Sequence, residues 1–271
     1  QRGADSDMSV YLAFAQSAFQ TQLAYRQEIW ANLFGKLVQV FARVAIWLAI
    51  YAGATSIDGV SLEQMVTYAL LGGMVIGAIR YEGIVSGIGQ ALKTGNVAVW
   101  LLKPTSFPLY VLSTAMGDAA FRLVFLVIPT VAVVALVYGM LPPASPFHGI
   151  MFLAYVLLAY AVIALVAALF GLVAFWMFTS FSLEWAMQAI LNLLSGSLIP
   201  FWFFPQPAAA IAAHLPFAWI VYYPSAVWLG RLDVTDTLAY FGLGLGWAVL
   251  LAIGVAALWR QASTRIVVQG G

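Results

Sequence analysis

Apolar residues gather in six blocks along the chain, roughly 33–54, 65–87, 107–138, 149–178, 185–200 and 237–259, and polar residues collect between them. A helix needs about 20 mainly apolar residues to cross the hydrocarbon core of a bilayer. Each block therefore reads as a membrane-spanning helix, the fifth a short one. Ahead of the first block, Tyr11 to Trp30 repeats apolar side chains at helical spacing. Leu12, Ala15, Phe19 and Leu23 form one line and Phe14, Ala18, Tyr25 and Ile29 another, while Gln16, Gln20 and Gln27 fall on a separate face. That stretch is too polar to span. It predicts an amphipathic helix over 8–32 lying in the membrane interface, or one packed on protein. Gln1 to Asp7 are polar, precede Met8, and read as a tag remnant or a disordered leader. No apolar region with a small-residue cleavage site follows them, so they are not a signal peptide.

The breaks between blocks differ in kind. Residues 55–64 hold Asp58 and Glu63 and no Lys or Arg. Residues 86–108 (SGIGQALKTGNVAVWLLKPTSFP) hold Lys93 and Lys103 with no acid between them. Residues 200–231 are split by Pro200, Pro205, Pro207, Pro216 and Pro224 and carry Trp202, Trp219, Tyr222, Tyr223 and Trp228. Tryptophan and tyrosine concentrate where a protein meets the membrane–water boundary. The 200–231 stretch therefore predicts short helices dipping into one leaflet, or an ordinary loop. Pro129 predicts a kink in the third span.

Composition settles the class. Charged residues are 8% of the chain and hydrophobic residues 64%, against about 25% charged in a soluble domain. The expectation is an all-α integral membrane protein: one interfacial helix, six transmembrane helices, and re-entrant helices between spans five and six. With 11 basic and 10 acidic residues, the balance implies no nucleic-acid partner. Arg26, Lys36, Arg80, Lys93, Lys103, Arg260 and Arg265 fall at one set of loops and span ends, and Arg231 at the other. By the positive-inside rule the first set, with both termini, is cytoplasmic. The 86–108 loop then faces the cytoplasm, either as a docking surface or as a plain connection.

Several chemistries are missing. The chain has no cysteine, no phosphate-cradling Gly-rich loop ending in Lys-Ser/Thr, no Gly-x-Ser-x-Gly turn, and only two histidines, His148 and His214, without metal-ligand spacing. No metal and no catalytic residue is expected. Arg43, Arg80, Glu82, Asp118 and Arg122 lie within apolar blocks, where a charge costs about 2.5–3.5 kcal/mol on insertion scales. They read as a structural salt-bridge network or as a proton relay. Arg43 is expected to have an acidic partner, and Asp118 and Arg122, at i and i+4, to neutralise one another.

The order of features, from the interfacial helix through VAVWLLKP at 97–104, LSGSLIPFWFFP at 194–205, LPFAWIVYYPSAVWLGRL at 215–232 and a Gln-Gly-Gly end, resembles type-2 ABC export permeases. It is similar in particular to a bacterial branch first catalogued as a domain of unknown function, over nearly the whole chain from Met8. The resemblance implies a permease domain over 33–271 in the cytoplasmic membrane. This chain would have no nucleotide site of its own, with ATP and Mg bound by two partner ATPase subunits. A second, different permease chain and membrane lipids complete the implied partners. It also implies a coupling segment within 87–96, with Ile88, Gln90, Ala91, Lys93, Thr94, Gly95 and Asn96 at the ATPase, and a smaller contact at 179–184. Pro200, Trp202, Pro205, Pro216, Trp219, Tyr223 and Pro224 would form an outer gate. The family loop is often acidic and Arg-rich before Leu-Leu-Lys-Pro; this one is neutral there. The implied cargo is amphiphilic or hydrophobic. An ion-driven carrier and a non-transporting membrane anchor are the alternatives.

Overall fold

The computed structural model describes residues 2–24, 26–103, 105–177 and 181–269. In chain order the helices are α1 (Arg2–Ala24), α2 (Arg26–Tyr51), α3 (Leu62–Ala78), α4 (Tyr81–Lys93), α5 (Val97–Leu101), α6 (Phe107–Arg122), α7 (Ile128–Tyr138), α8 (Pro146–Met177), α9 (Phe181–Leu194), α10 (Gln206–His214), α11 (Tyr222–Trp228) and α12 (Val234–Gln269). A two-stranded hairpin, β1 (Ser56–Ile57) with β2 (Val60–Ser61), precedes α3. Its turn is Asp58-Gly59, both at positive φ, as a two-residue hairpin turn of this type requires. Ser61 then caps α3: its hydroxyl accepts from the Gln64 amide while the Gln64 side chain accepts from the Ser61 amide, both at 3.2 Å.

Five stretches are long and apolar enough to cross a membrane: Ile29–Tyr51, Leu62–Ala91, Phe107–Tyr138, Pro146–Met177 and Val234–Thr264. The sixth expected crossing, at 185–200, corresponds to α9, which is 14 residues long, about 21 Å at 1.5 Å per residue. That is short of a ~30 Å core. Helix α8 is the hub: 67% of its apolar window is buried, against 11% for α12. It packs on α4, α9, α11 and α12. Leu243, Leu245, Val249, Leu250 and Ile253 of α12 stay exposed, which suits a helix bordered by lipid.

Connectivity gives the molecule two ends. The hairpin, the 139–145 turn and the 195–233 segment share one end, joined by hydrogen bonds from Leu141 N to Thr67 Oγ1 (2.9 Å), Tyr68 Oη to Gly196 O (2.7 Å) and Ala144 N to Trp228 O (3.0 Å). We call this the aromatic end. The other, where α4 turns into α5 and α6, is the lysine end.

Some expected boundaries moved. The backbone of residues 2–7 is helical within α1 instead of forming a disordered leader. The amphipathic helix stops at Ala24, and residues 26–32 open α2. Helix α1 packs along α6 in parallel: Phe14 meets Tyr110 (4.9 Å between centroids), and Phe19 meets Phe121 (5.7 Å). Ala15 and Gly117 touch so closely that a Cβ on Gly117 would lie 2.0 Å from Ala15 O. The second span breaks at Ile79, whose backbone is extended. Pro129 lies in the first turn of α7. It follows a π-helical turn, Leu123–Val127, closed by Ile128 N to Leu123 O. Widening that turn accommodates the missing proline N–H.

Candidate functional site

Helix α4 is two-faced because Tyr81, Ile84, Val85 and Ile88 recur at helical spacing and are buried, while Glu82, Gly83, Gly87 and Gln90 are exposed. Its buried face lies on α8, where a Cβ added to Gly171 would come 2.9 Å from Ile88 Cβ. Only glycine permits this approach without displacement. The Tyr81 hydroxyl donates to Gln188 Oε1 on α9. Helix α4 is thus fixed to α8 and α9 and separated from α3 by the extended Ile79. After Lys93 the chain reverses at Gly95, φ +72°.

The seven expected coupling residues divide. Gln90, Thr94, Gly95 and Asn96 are exposed together at the lysine end, Ala91 is half-buried, and Ile88 is in the core. Ile88 belongs to the α4–α8 seam and is removed from any docking surface. The Thr94 hydroxyl donates to Gln90 O at 2.9 Å. The Lys93 side chain, Pro104 and residues 179–180 of the expected second contact lie outside the described residues. Beyond the turn, Trp100 of α5 stacks against Tyr110 (4.1 Å) and Phe107 (5.8 Å), and Phe107 reaches Trp259 of α12 (5.4 Å). Tyr11 of α1 accepts from Ser106 N at 2.9 Å. The connection is anchored to three helices.

The charged residues come together in part. Arg80, Glu82, Asp118 and Arg122 are within electrostatic reach of one another, and Lys36 of α2 joins them. Yet among the described residues no carboxylate comes within 4.0 Å of a basic nitrogen. Asp118 Oδ1 and Arg122 Nε are buried without a hydrogen-bond partner. The expected Asp118–Arg122 pairing is not closed. Arg43 reaches Lys36 electrostatically but lines a separate 440 Å³ crevice with Ile46, Trp47, Ile50, Leu198 and Ile199, and no acidic partner for it is found among the described residues.

A cavity of about 710 Å³ opens between α1, the α3–α4 break, α5 and α6. Arg80, Lys103 and Asp118 line it with Ser17, Thr21, Gln22 and Thr114, and an apolar wall runs from Phe14 to Tyr110. Sequence reasoning singled out Arg80 and Asp118 but not the α1 hydroxyls. The only sequence signal for those is Ser17 and Thr21 at i and i+4 on one side of α1.

At the aromatic end the expected gate residues are mostly interior. Pro200, Pro216, Trp219, Tyr223 and Pro224 are buried, Trp202 is half-buried, and Pro205 is exposed. Trp219 Nε1 donates to Tyr240 O (2.8 Å), Tyr223 Oη to Ala213 O (3.0 Å) and Trp228 Nε1 to Leu141 O (2.9 Å). Arg231 lies 5.2 Å over the Trp202 ring and donates to Gln64 Oε1 at 2.9 Å. Burial, with Tyr240 beside them, pushes the Tyr222 and Tyr223 phenols above the usual tyrosine range. Both phenols stay neutral. The arrangement is a set of short helices tied down by side-chain-to-backbone hydrogen bonds.

No curated protein matches the chain. A family model described as an ABC-2 family transporter protein matches residues 37–270. That range takes in four of the long apolar stretches whole and the greater part of the first, together with the α4–α5 segment and the aromatic end. This chain belongs to the ABC-2 family of transporter membrane proteins.

Proposed function

We propose that the chain is the permease subunit of an ATP-driven exporter in the bacterial cytoplasmic membrane, with both termini and the lysine end facing the cytoplasm. Family membership brings an ABC ATPase partner in general. In our reading two ATPase subunits, which bind ATP and Mg, dock on the turn after α4, through the exposed Gln90, Thr94, Gly95 and Asn96 and through Lys93. A second permease chain of different sequence covers the Arg43 crevice. The cargo is amphiphilic or hydrophobic (a lipid, peptide, drug or organic cation), because the span surfaces are apolar and aromatic.

The observation that carries this reading is the mechanical isolation of α4. It is welded to α8 at Ile88–Gly171, separated from α3 by the extended Ile79, and ends in an exposed turn. A push on that turn would move α4 with α8 and leave α3 behind. Closure of the ATPase subunits would thereby shift the permease between two states through contacts that differ between them. The aromatic end, tied by the bonds above, would be the gate that yields last.

Reconstitution with its ABC ATPase subunits tests the reading. Lys93→Glu should leave basal ATP hydrolysis intact and abolish its coupling to cargo movement; coupled export at the native rate would contradict the docking role. The unpaired Asp118 and Arg122 favour one second reading, an ion-driven carrier. That reading predicts flux that follows a proton gradient and persists after ATP depletion.

A further inference from the structure

The 710 Å³ cavity at the lysine end has a defined depth. Helix α3 starts at Leu62, so Arg80 lies 18 residues from the aromatic end, about 27 Å along a helix. Tyr138 ends α7, and Asp118 lies 20 residues back from it, about 30 Å by the same rise. Both are therefore about one hydrocarbon thickness from the opposite boundary. This is the headgroup level of a leaflet, and α1 closes the cavity there by packing along α6.

Among the described residues the charges at that level close no ion pair with one another. Lys103 Nζ is poised 3.9 Å over the Trp100 ring. Arg80 is exposed. Neither has a carboxylate within 4.0 Å among the described residues. Asp118 shares the same wall, also without an ion pair. Guanidinium and ammonium groups are the usual partners of phosphate oxygens, whereas an ionised carboxylate only accepts and needs a donor. Phe14, Ile84, Trp100, Tyr110 and Val111 give the cavity an apolar side. Its size is within the ~300–1,000 Å³ of small-molecule sites.

We propose that this cavity binds the headgroup of a membrane phosphodiester lipid whose tip carries a hydrogen-bond donor. Arg80 and Lys103 hold the phosphate, Asp118 takes the donor, and the aromatic wall covers the glycerol and upper acyl chain. An amine-tipped and a polyol-tipped headgroup share this chemistry. A phosphocholine headgroup carries the same phosphate but has no N–H or O–H to offer Asp118. The site therefore discriminates by the tip. The inference requires only that the chain sits in a bilayer; it holds whether or not ATP drives transport.

The full chain in detergent, exchanged against fluorescent lipids with phosphoethanolamine, phosphoglycerol or phosphocholine headgroups and against a phosphate-free diacylglycerol, tests it. The first two should bind about tenfold more tightly than phosphocholine, the scale of a hydrogen bond to a charged group, and diacylglycerol more weakly still. Lys103→Gln and Arg80→Gln should each weaken all three phospholipids about tenfold, while Lys103→Arg retains binding. Asp118→Asn should erase most of the preference over phosphocholine. The ranking of the two preferred lipids identifies the tip as amine or polyol. Equal binding of diacylglycerol, indifference to Lys103→Gln in a variant whose unfolding temperature is unchanged, or displacement by equimolar inorganic phosphate would overturn the proposal. The last outcome would assign the site to a soluble phosphate.

Discussion

The two ends of the molecule solve the same problem in opposite ways. Both must end apolar helices and place polar groups near a boundary. At the aromatic end, indole and phenol donors reach backbone carbonyls: Trp219 to Tyr240, Tyr68 to Gly196, Tyr155 to Thr237, Trp228 to Leu141. Among the described residues, the buried side-chain atoms left without a hydrogen bond there, Trp202 Nε1, Ser225 Oγ and Thr237 Oγ1, are neutral, and Arg43 in its crevice against Leu198 and Ile199 is the exception in charge. At the lysine end the unpartnered set includes ionisable groups, Asp118 Oδ1 and Arg122 Nε, beside a large cavity and a broken helix. An end whose polar atoms are matched inside the chain has one low-energy arrangement. An end whose charges wait for partners is stable only in company, whether of lipid, a second permease or an ATPase.

Substitutions sharpen this contrast, and the largest effect is expected at the aromatic end. Trp219→Ala removes a fully buried indole and should cost about 3–5 kcal/mol. Thermal unfolding in detergent would show this, and a loss below about 1 kcal/mol would break the comparison. Gly171→Leu comes next: the added side chain meets Ile88 and should cost about 1–3 kcal/mol. It should also detach α4 from α8, so ATPase stimulation by cargo falls even where the protein still folds. Preserved stimulation would mean that the seam is not the route of coupling. Asp118→Asn should cost nothing measurable or stabilise slightly, since no ion pair is lost; a drop beyond about 1 kcal/mol would reveal a pairing within the chain. Arg231→Gln, which loses an exposed bond to Gln64 Oε1, should stay within about 0.5 kcal/mol.

Much of the fold was legible because length and apolarity report a membrane span directly. The third, fourth and last spans stand near where their sequences put them, with α8 at Pro146–Met177 against an expected 149–178. The break at Ile79 was not legible. No proline or glycine pair marks it, and the reason for it is tertiary: turning at that point brings the Tyr81–Ile84–Ile88 face onto α8. Helix α1 showed its amphipathicity in sequence but not its destination, which depends on Gly117 letting Ala15 approach. The charge network was half legible. Arg80, Glu82, Asp118 and Arg122 do gather. The expected partner of Arg43 could not be inferred from spacing, because the non-helical segment after α9 that lines its crevice carries apolar Leu198 and Ile199. The hairpin was signalled by Asp58-Gly59, a turn pair whose positive φ angles make it readable in retrospect.

The central claim is that the turn after α4 is the handle by which a cytoplasmic ATPase works the permease. The chain contains no cysteine, so Asn96→Cys places a single reactive thiol on that turn. Labelling it with a membrane-impermeant maleimide in oriented vesicles, with and without the ATPase subunits, gives the most direct test. The account predicts labelling from the cytoplasmic face only, and protection when the ATPase binds. Labelling from the opposite face, or full reactivity in the assembled complex, would contradict it.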